Sequence, residues 1–188
     1  MRVTVFGATG GIGSEVVRQG LAAGHDVVAV VRDPAQIGPA IKGSDAVVSA
    51  LGPRKGGPPA VLTDGVRSIL TAMTDTGVRR LVAVSASGAF IKPSDPFVTR
   101  VIAKPLLQRI LRDSMADTRR MEGEIWASAT DWTLMRPPQL TNRPGRGRYR
   151  RMIDSNVGRS IARADVADAI LAALADPATI GHVVGIGY

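Results

Sequence analysis

The chain has no cysteine. That excludes a disulfide framework, a thiolate nucleophile and any cysteine-ligated metal. Histidine is almost as scarce, with only His25 and His182, so a zinc site is not expected either. No apolar run approaches the roughly 20 residues of a membrane-spanning helix. The six residues before Gly7 leave no room for the charged and apolar regions of a signal peptide. The expectation is a cytoplasmic protein without membrane association. Fixed-period repeats, low-complexity tracts and charged tails are also missing. What is present is a chain of 188 residues, 45% hydrophobic and 21% charged, suited to one domain that buries about 70% of its unfolded surface. Its 24 Lys and Arg against 16 Asp and Glu give a net +8, enough to attract polyanions.

Hydrophobic patterning alternates between two periods. Residues 3–6 are a β-branched and aromatic run, followed by glycines and by Ile12, Val16, Val17 and Leu21 on one helical face. Gly24 closes that helix, and residues 27–31 are unbroken apolar, as in a parallel strand covered on both faces. Residues 45–50 repeat this. Leu62, Val66, Ile69, Leu70 and Met73 recur at helical spacing up to Gly77, and residues 80–85 read as a strand. Residues 97–129 read as helical with a break near Pro105, because proline removes a donor and restricts its predecessor. Residues 132–135 form a strand closed by Pro137-Pro138, and an Arg- and Gly-rich loop follows. Val166, Ile170, Leu171 and Leu174 then mark a helix, and residues 182–186 a last strand. This order predicts an α/β fold with a mostly parallel sheet. It is one domain over 1–188, with 136–188 as its substrate-side part.

The strongest local signal is Gly7-Ala8-Thr9-Gly10-Gly11-Ile12-Gly13, lying between the first strand and the first helix. There glycines permit a tight turn and let backbone amides approach a pyrophosphate at the helix N-terminus. A purely structural turn is the alternative. The same stretch, with V-V-R-D-P after the second strand, D-W-T-L-M-R-P-P-Q-L-T and I-A-R-A-D-V-A-D-A-I, resembles the atypical short-chain dehydrogenase/reductase group with NAD(P)H-binding, NmrA-like domains. Within that group the chain is most similar to the biliverdin reductase B/flavin reductase branch. The resemblance implies a Rossmann-like three-layer fold.

The adenine ribose of a bound dinucleotide is read about 20 residues past the glycines, where Arg32 and Asp33 fall. Arg32 can pair with a 2′-phosphate, whereas Asp33 before Pro34 suits a helix cap. NADPH is therefore favoured over NADH. The branch's second basic residue is Gln36 here, which weakens the discrimination. Only twelve residues, 33–44, separate the second strand from the next. The family places a strand and helix there, so the sheet is expected to lack its usual outer strand-helix unit after the second strand. The adenine side would then be more open, and the exposed edge would favour pairing with another subunit.

Ligands in such sheets bind outside the carboxyl ends of strands. Ala50-Leu51-Gly52, Ser85-Ala86-Ser87 and Pro137-Pro138-Gln139-Leu140 are therefore expected to line one crevice. Gly52 could let backbone pass close to the coenzyme and Arg54 could reach a phosphate; a plain Pro/Gly-rich loop through Pro59 is the alternative. Ser85 or Ser87 could hydrogen-bond the nicotinamide amide or a substrate carbonyl, or simply cap turns. The proline pair stops a strand, and the resemblance implies that its loop faces the nicotinamide. Glu122 is expected to pair with Arg136, and Asp165 to serve the start of its helix. Where the branch has a serine and a histidine near substrate, this chain has Ala86 and Gln139.

Tyrosine-dependent members of the superfamily use Tyr-x-x-x-Lys. Here Tyr149 is followed four positions later by Ile153, and Tyr188 is the last residue. Hydride transfer to a flavin-like, quinone-like or other conjugated small-molecule acceptor asks less of the protein, since positioning is its main contribution. The alternative is a non-catalytic NAD(P)H sensor of the NmrA-like kind. The charge is local: residues 136–163 hold eight arginines and one acid, Asp154. They make an anion-binding rim, a solvated loop or a nucleic-acid patch. The single aromatic there, Tyr149, argues against nucleic acid.

Overall fold

A computed structural model describes residues 1–30, 37–52, 60–90, 101, 109 and 111–188. Six strands pair in parallel in the order β2-β1-β3-β4-β5-β9: β1 (Arg2–Phe6), β2 (Asp26–Val30), β3 (Ala46–Ser49), β4 (Arg80–Val84), β5 (Asp131–Arg136) and β9 (His182–Gly187). A seventh, β7 (Arg150–Ile153), closes the sheet antiparallel to β9. Two further strands, β6 (Gln139–Thr141) and β8 (Ser160–Ala162), form a separate parallel pair.

The apolar runs become strands because both faces of the sheet are covered. Val3, Val5, Ala46, Val48, Val82 and Met135 meet one layer, α1 (Gly13–Ala22) and α5 (Arg163–Leu174), through Val16, Val166, Ile170 and Ala173. The intervening Val47, Leu81, Ala83 and Leu134 face the other, α3 (Val61–Thr76) and α4 (Arg112–Trp126), through Val66, Ile69, Met73, Met121 and Ile125. Each of the Val, Leu, Ile and Met side chains among them contributes about 1.5–3 kcal/mol by leaving water.

Between β2 and β3 the described residues form only a five-residue helix, α2 (Ile37–Ile41), and a turn. Among the described residues β2 is the edge of the sheet, with no strand beyond it as expected, but the helix half of the unit expected to be absent is present in short form as α2. Two further expectations differ. The helix expected over 97–129 is described only as α4; residues 102–108, with Pro105, lie outside the described residues. The expected Arg- and Gly-rich loop contains β6, β7 and β8. These are three or four residues long, too short for a period to show, and β7 is exposed throughout.

Candidate dinucleotide site

The register places the carboxyl ends of β1, β3, β4 and β5 in one row: Phe6 pairs with Ser49, Ser49 with Ala83, and Val84 with Met135. The pairing runs on past the strand ends. Ala50 donates to Phe6 O (3.0 Å), Ser85 to Met135 O (2.8 Å) and Ser87 to Pro137 O (3.0 Å). Gly7, Ala50, Ser85 and Pro137 thus follow one another along a single crest. With strands about 4.8 Å apart, three steps separate Gly7 from Pro137 by roughly 14 Å.

At the β1 end the site is made of backbone. Gly7 has φ +76°, and a Cβ there would lie 2.5 Å from Ala50 O; a Cβ on Gly13 would collide with Gly7 O. Both positions therefore require glycine. The turn is closed by Gly10 N donating to Gly7 O (2.9 Å), and α1 begins with Ser14 N donating to Gly10 O (2.8 Å). Among the described residues the amides of Gly11, Ile12 and Gly13 donate to no carbonyl. Thr9, Gly10 and Gly11 are exposed, while Ile12 is buried in the core and Ala8 packs against it. Three free amides at the positive end of a ten-residue helix make a cradle for a phosphate oxygen. These residues fit the diphosphate of a dinucleotide.

At the β4–β5 end the site is made of side chains. Arg136 is 2% exposed and Glu122 on α4 is fully buried. Arg136 donates from Nε (2.9 Å) and Nη2 to the two oxygens of Glu122, the pairing expected from the sequence. Its guanidinium carbon lies 3.7 Å from the Phe90 ring centroid, and its Nη1 has no hydrogen-bond partner among the described residues. Ser85 Oγ donates to the same carboxylate, at Glu122 Oε1. A serine hydroxyl has one hydrogen, so with it held by Glu122 the oxygen offers a ligand only lone pairs. Ser87, also buried, has no side-chain hydrogen bond among the described residues and keeps its donor.

Other expected residues sort by their surroundings. Leu51 turns into the core against Gly65, where a Cβ would lie 2.6 Å from Leu51 Cδ1, so only its backbone faces the crest. Gly52 is exposed with nothing near its Cβ direction. Pro137 is buried, Pro138 half-buried and Gln139 exposed on β6. Arg32, Asp33 and Arg54 lie outside the described residues. The basic segment is divided among unlike places. Arg136 is buried, Arg146 lies 4.1 Å over the Tyr188 ring, and Arg151 is 3.8 Å from Asp176. Asp165 reaches beyond its own helix: it accepts from Arg146 N (2.8 Å), Gly147 N (3.0 Å) and the Tyr188 hydroxyl. Burial works to raise the pKa of this carboxyl, but those hydrogen bonds outweigh it and leave it below its ordinary value. Burial and the bond to Asp168 raise the Tyr149 phenol; burial and the bond to Asp165 raise Tyr188. A proton-donating tyrosine needs the opposite shift. The sequence reading missed Arg163, whose side chain lies on Gly11; its signal was its place in I-A-R-A-D-V-A. A cavity of about 510 Å³ beside Leu70, Met73, Arg79 and Glu124 opens at the amino-terminal end of β4, away from the crest.

A family model described as NAD(P)H-binding matches residues 35–177. The chain belongs to the NAD(P)H-binding family. Residues 1–46, with the glycine loop, match the model of the NmrA-like family. The NAD(P)H-binding fold is shared with a short-chain dehydrogenase/reductase from Veillonella parvula in complex with NADP (17% identity, 100% of this chain and 94% of that one, TM-score 0.81). It is shared also with a protein from Streptococcus pneumoniae proposed as an NADH-flavin reductase (18%, 99% and 98%, 0.84). A third is the anaerobilin reductase ChuY of Escherichia coli O157:H7 (18%, 99% and 96%, 0.79).

Proposed function

We propose that this protein is an NAD(P)H-dependent oxidoreductase that passes hydride to a flavin-like, quinone-like or other conjugated planar acceptor. One observation carries the reading: the glycine loop, with its three unpaired amides, begins at Gly7, and Gly7 stands in one row with Ala50, Ser85 and Pro137, the last roughly 14 Å away. That span fits a diphosphate at one end and a reacting ring at the other. When bound, the coenzyme supplies the hydride; the protein binds, orients and excludes water. The residues from Gly7 to Gly13 hold the diphosphate, and the backbone of Ala50, Leu51 and Gly52 borders its path. Arg32 reads a 2′-phosphate, which makes NADPH the preferred coenzyme, and Arg54 supports the phosphates. The Veillonella relative, solved with NADP, supports that preference.

At the reacting end Ser85 accepts from the nicotinamide amide, because its proton is committed to Glu122. Ser87 and Gln139 remain as donors toward the acceptor, and the Pro137-Pro138 turn fixes their spacing. The acceptor takes a hydride from the coenzyme and a proton from solvent, so no side chain has to ionise. The raised phenols of Tyr149 and Tyr188 suit this reading and oppose a tyrosine-driven carbonyl reduction. The same raised phenols suit a second reading, a non-catalytic NAD(P)H sensor of the NmrA-like kind. A cytoplasmic location, a small-molecule partner and self-association at the β2 edge belong to the same proposal.

Titration with NADPH and NADH, followed by turnover with FMN, quinones and biliverdin, tests it. Tighter binding of NADPH and oxidation by one of these acceptors is the expected result. Binding without oxidation across the panel supports the sensor, and no binding overturns both readings.

A further inference from the structure

We propose that Arg163, whose side chain lies on the glycine loop at Gly11, holds the coenzyme diphosphate together with that loop, so that the anion meets both backbone amides and one guanidinium. The proposal rests on the coenzyme reading above. Arg163 opens α5, yet its side chain lies across the glycine loop. A Cβ built on Gly11 would stand 2.5 Å from Arg163 Cδ and 2.7 Å from Nε. The arginine occupies the space that any side chain at residue 11 would need. Its Nη1 donates to Asn142 Oδ1, on the exposed residue that follows β6. Among the described residues no carboxylate pairs with it and no other hydrogen bond is made.

The surroundings of this guanidinium favour an anion. The guanidinium sits at the start of α5 and beside the start of α1, and both helix ends carry partial positive charge. The described acids on these two helix starts are engaged elsewhere. Glu15, in the first turn of α1, accepts from Arg18 (2.7 Å) and Gln19 (3.1 Å). Asp165 is turned toward Arg146, Gly147 and Tyr188. Among the described residues, a permanent cation, three unpaired amides and two helix ends therefore converge with no countercharge. The ligand that balances them is a diphosphate, whose oxygens a guanidinium can meet in a fork.

The experiment is equilibrium titration of the full chain and of Arg163→Gln and Arg163→Lys. Coenzyme fluorescence reads NADPH and NADH; competition reads ADP-ribose, which carries the diphosphate without nicotinamide. Thermal unfolding of each variant confirms its fold. Loss of one charge-assisted contact should weaken Arg163→Gln by about tenfold for all three ligands. The NADPH-to-NADH affinity ratio should stay unchanged, and Arg163→Lys should recover part of the loss. Unchanged affinity in Arg163→Gln, with wild type binding normally, overturns this proposal alone. Loss confined to NADPH also overturns it, by moving the arginine to the 2′-phosphate. A wild-type chain that binds none of the three overturns the coenzyme reading and this proposal together.

Discussion

The two ends of the crest are built by opposite means. At Gly7–Gly13 the protein leaves side chains out: two hypothetical Cβ atoms would strike carbonyls, and the binding groups are peptide amides. At Ser85–Arg136 it buries an ion pair in the core, with a serine hydrogen-bonded to it and an aromatic ring stacked on it. The first end is rigid because nothing larger fits. The second is rigid because its charges tolerate no other arrangement. A backbone cradle binds whatever phosphate arrives, whereas a buried network fixes the orientation of one hydroxyl.

The sharpest way to break that contrast is at the ion pair. Glu122→Ala leaves the Arg136 charge buried and uncompensated, so urea unfolding should show a loss of about 3–5 kcal/mol. Replacing both partners, Glu122→Leu with Arg136→Met, should return most of it; if the double variant is no more stable than the single, the network is not the source. At the other end Gly13→Ala should cost about 1–3 kcal/mol of stability through forced backbone movement, with loss of NADPH binding by fluorescence titration. Retained binding would mean the loop is not the phosphate cradle. Ser85→Ala removes one hydrogen bond and should cost about 1 kcal/mol. Its main effect should be on turnover rather than on coenzyme affinity, read from separate kcat and Kd measurements.

The smallest effect concerns acid. The Asp165 carboxyl is depressed in the folded chain, so its contribution is complete above the unfolded carboxylate value near ~3.9. It disappears as pH falls through the lower folded value. Asp165→Asn should therefore flatten the acid limb of the stability-pH curve, and an unchanged limb would count against the loop-pinning role.

The backbone-built end was legible in the sequence because its constraints are local and residue-specific: Gly7, Gly10 and Gly13 are spaced within one turn. The strands were legible for a related reason, since apolar runs such as 46–49 and 80–84 reflect burial on both faces. The edge position of β2 among the described residues followed from the twelve residues of 33–44. The side-chain end was half legible. The partnership of Glu122 with Arg136 follows from complementary charge on adjoining elements, but the turn of Ser85 toward that carboxylate depends on packing across 37 residues. Arg163 on Gly11 joins opposite ends of the chain, and no spacing encodes it. β6, β7 and β8 escaped because three or four residues cannot display a period.

One edge of the sheet has a bearing on how the protein behaves in bulk. β7 sets Arg150 and Arg151 on an exposed outer strand. Two copies meeting there to extend the sheet would bring guanidiniums of like charge together, which opposes pairing. An anionic chain meets no such barrier. The strand therefore works as a filter set by the surrounding electrolyte: once salt shortens the reach of charge below about 8 Å, the repulsion fades and copies can approach. The electrostatic barrier at this edge is thus set by a single four-residue strand, whatever the overall +8 contributes elsewhere.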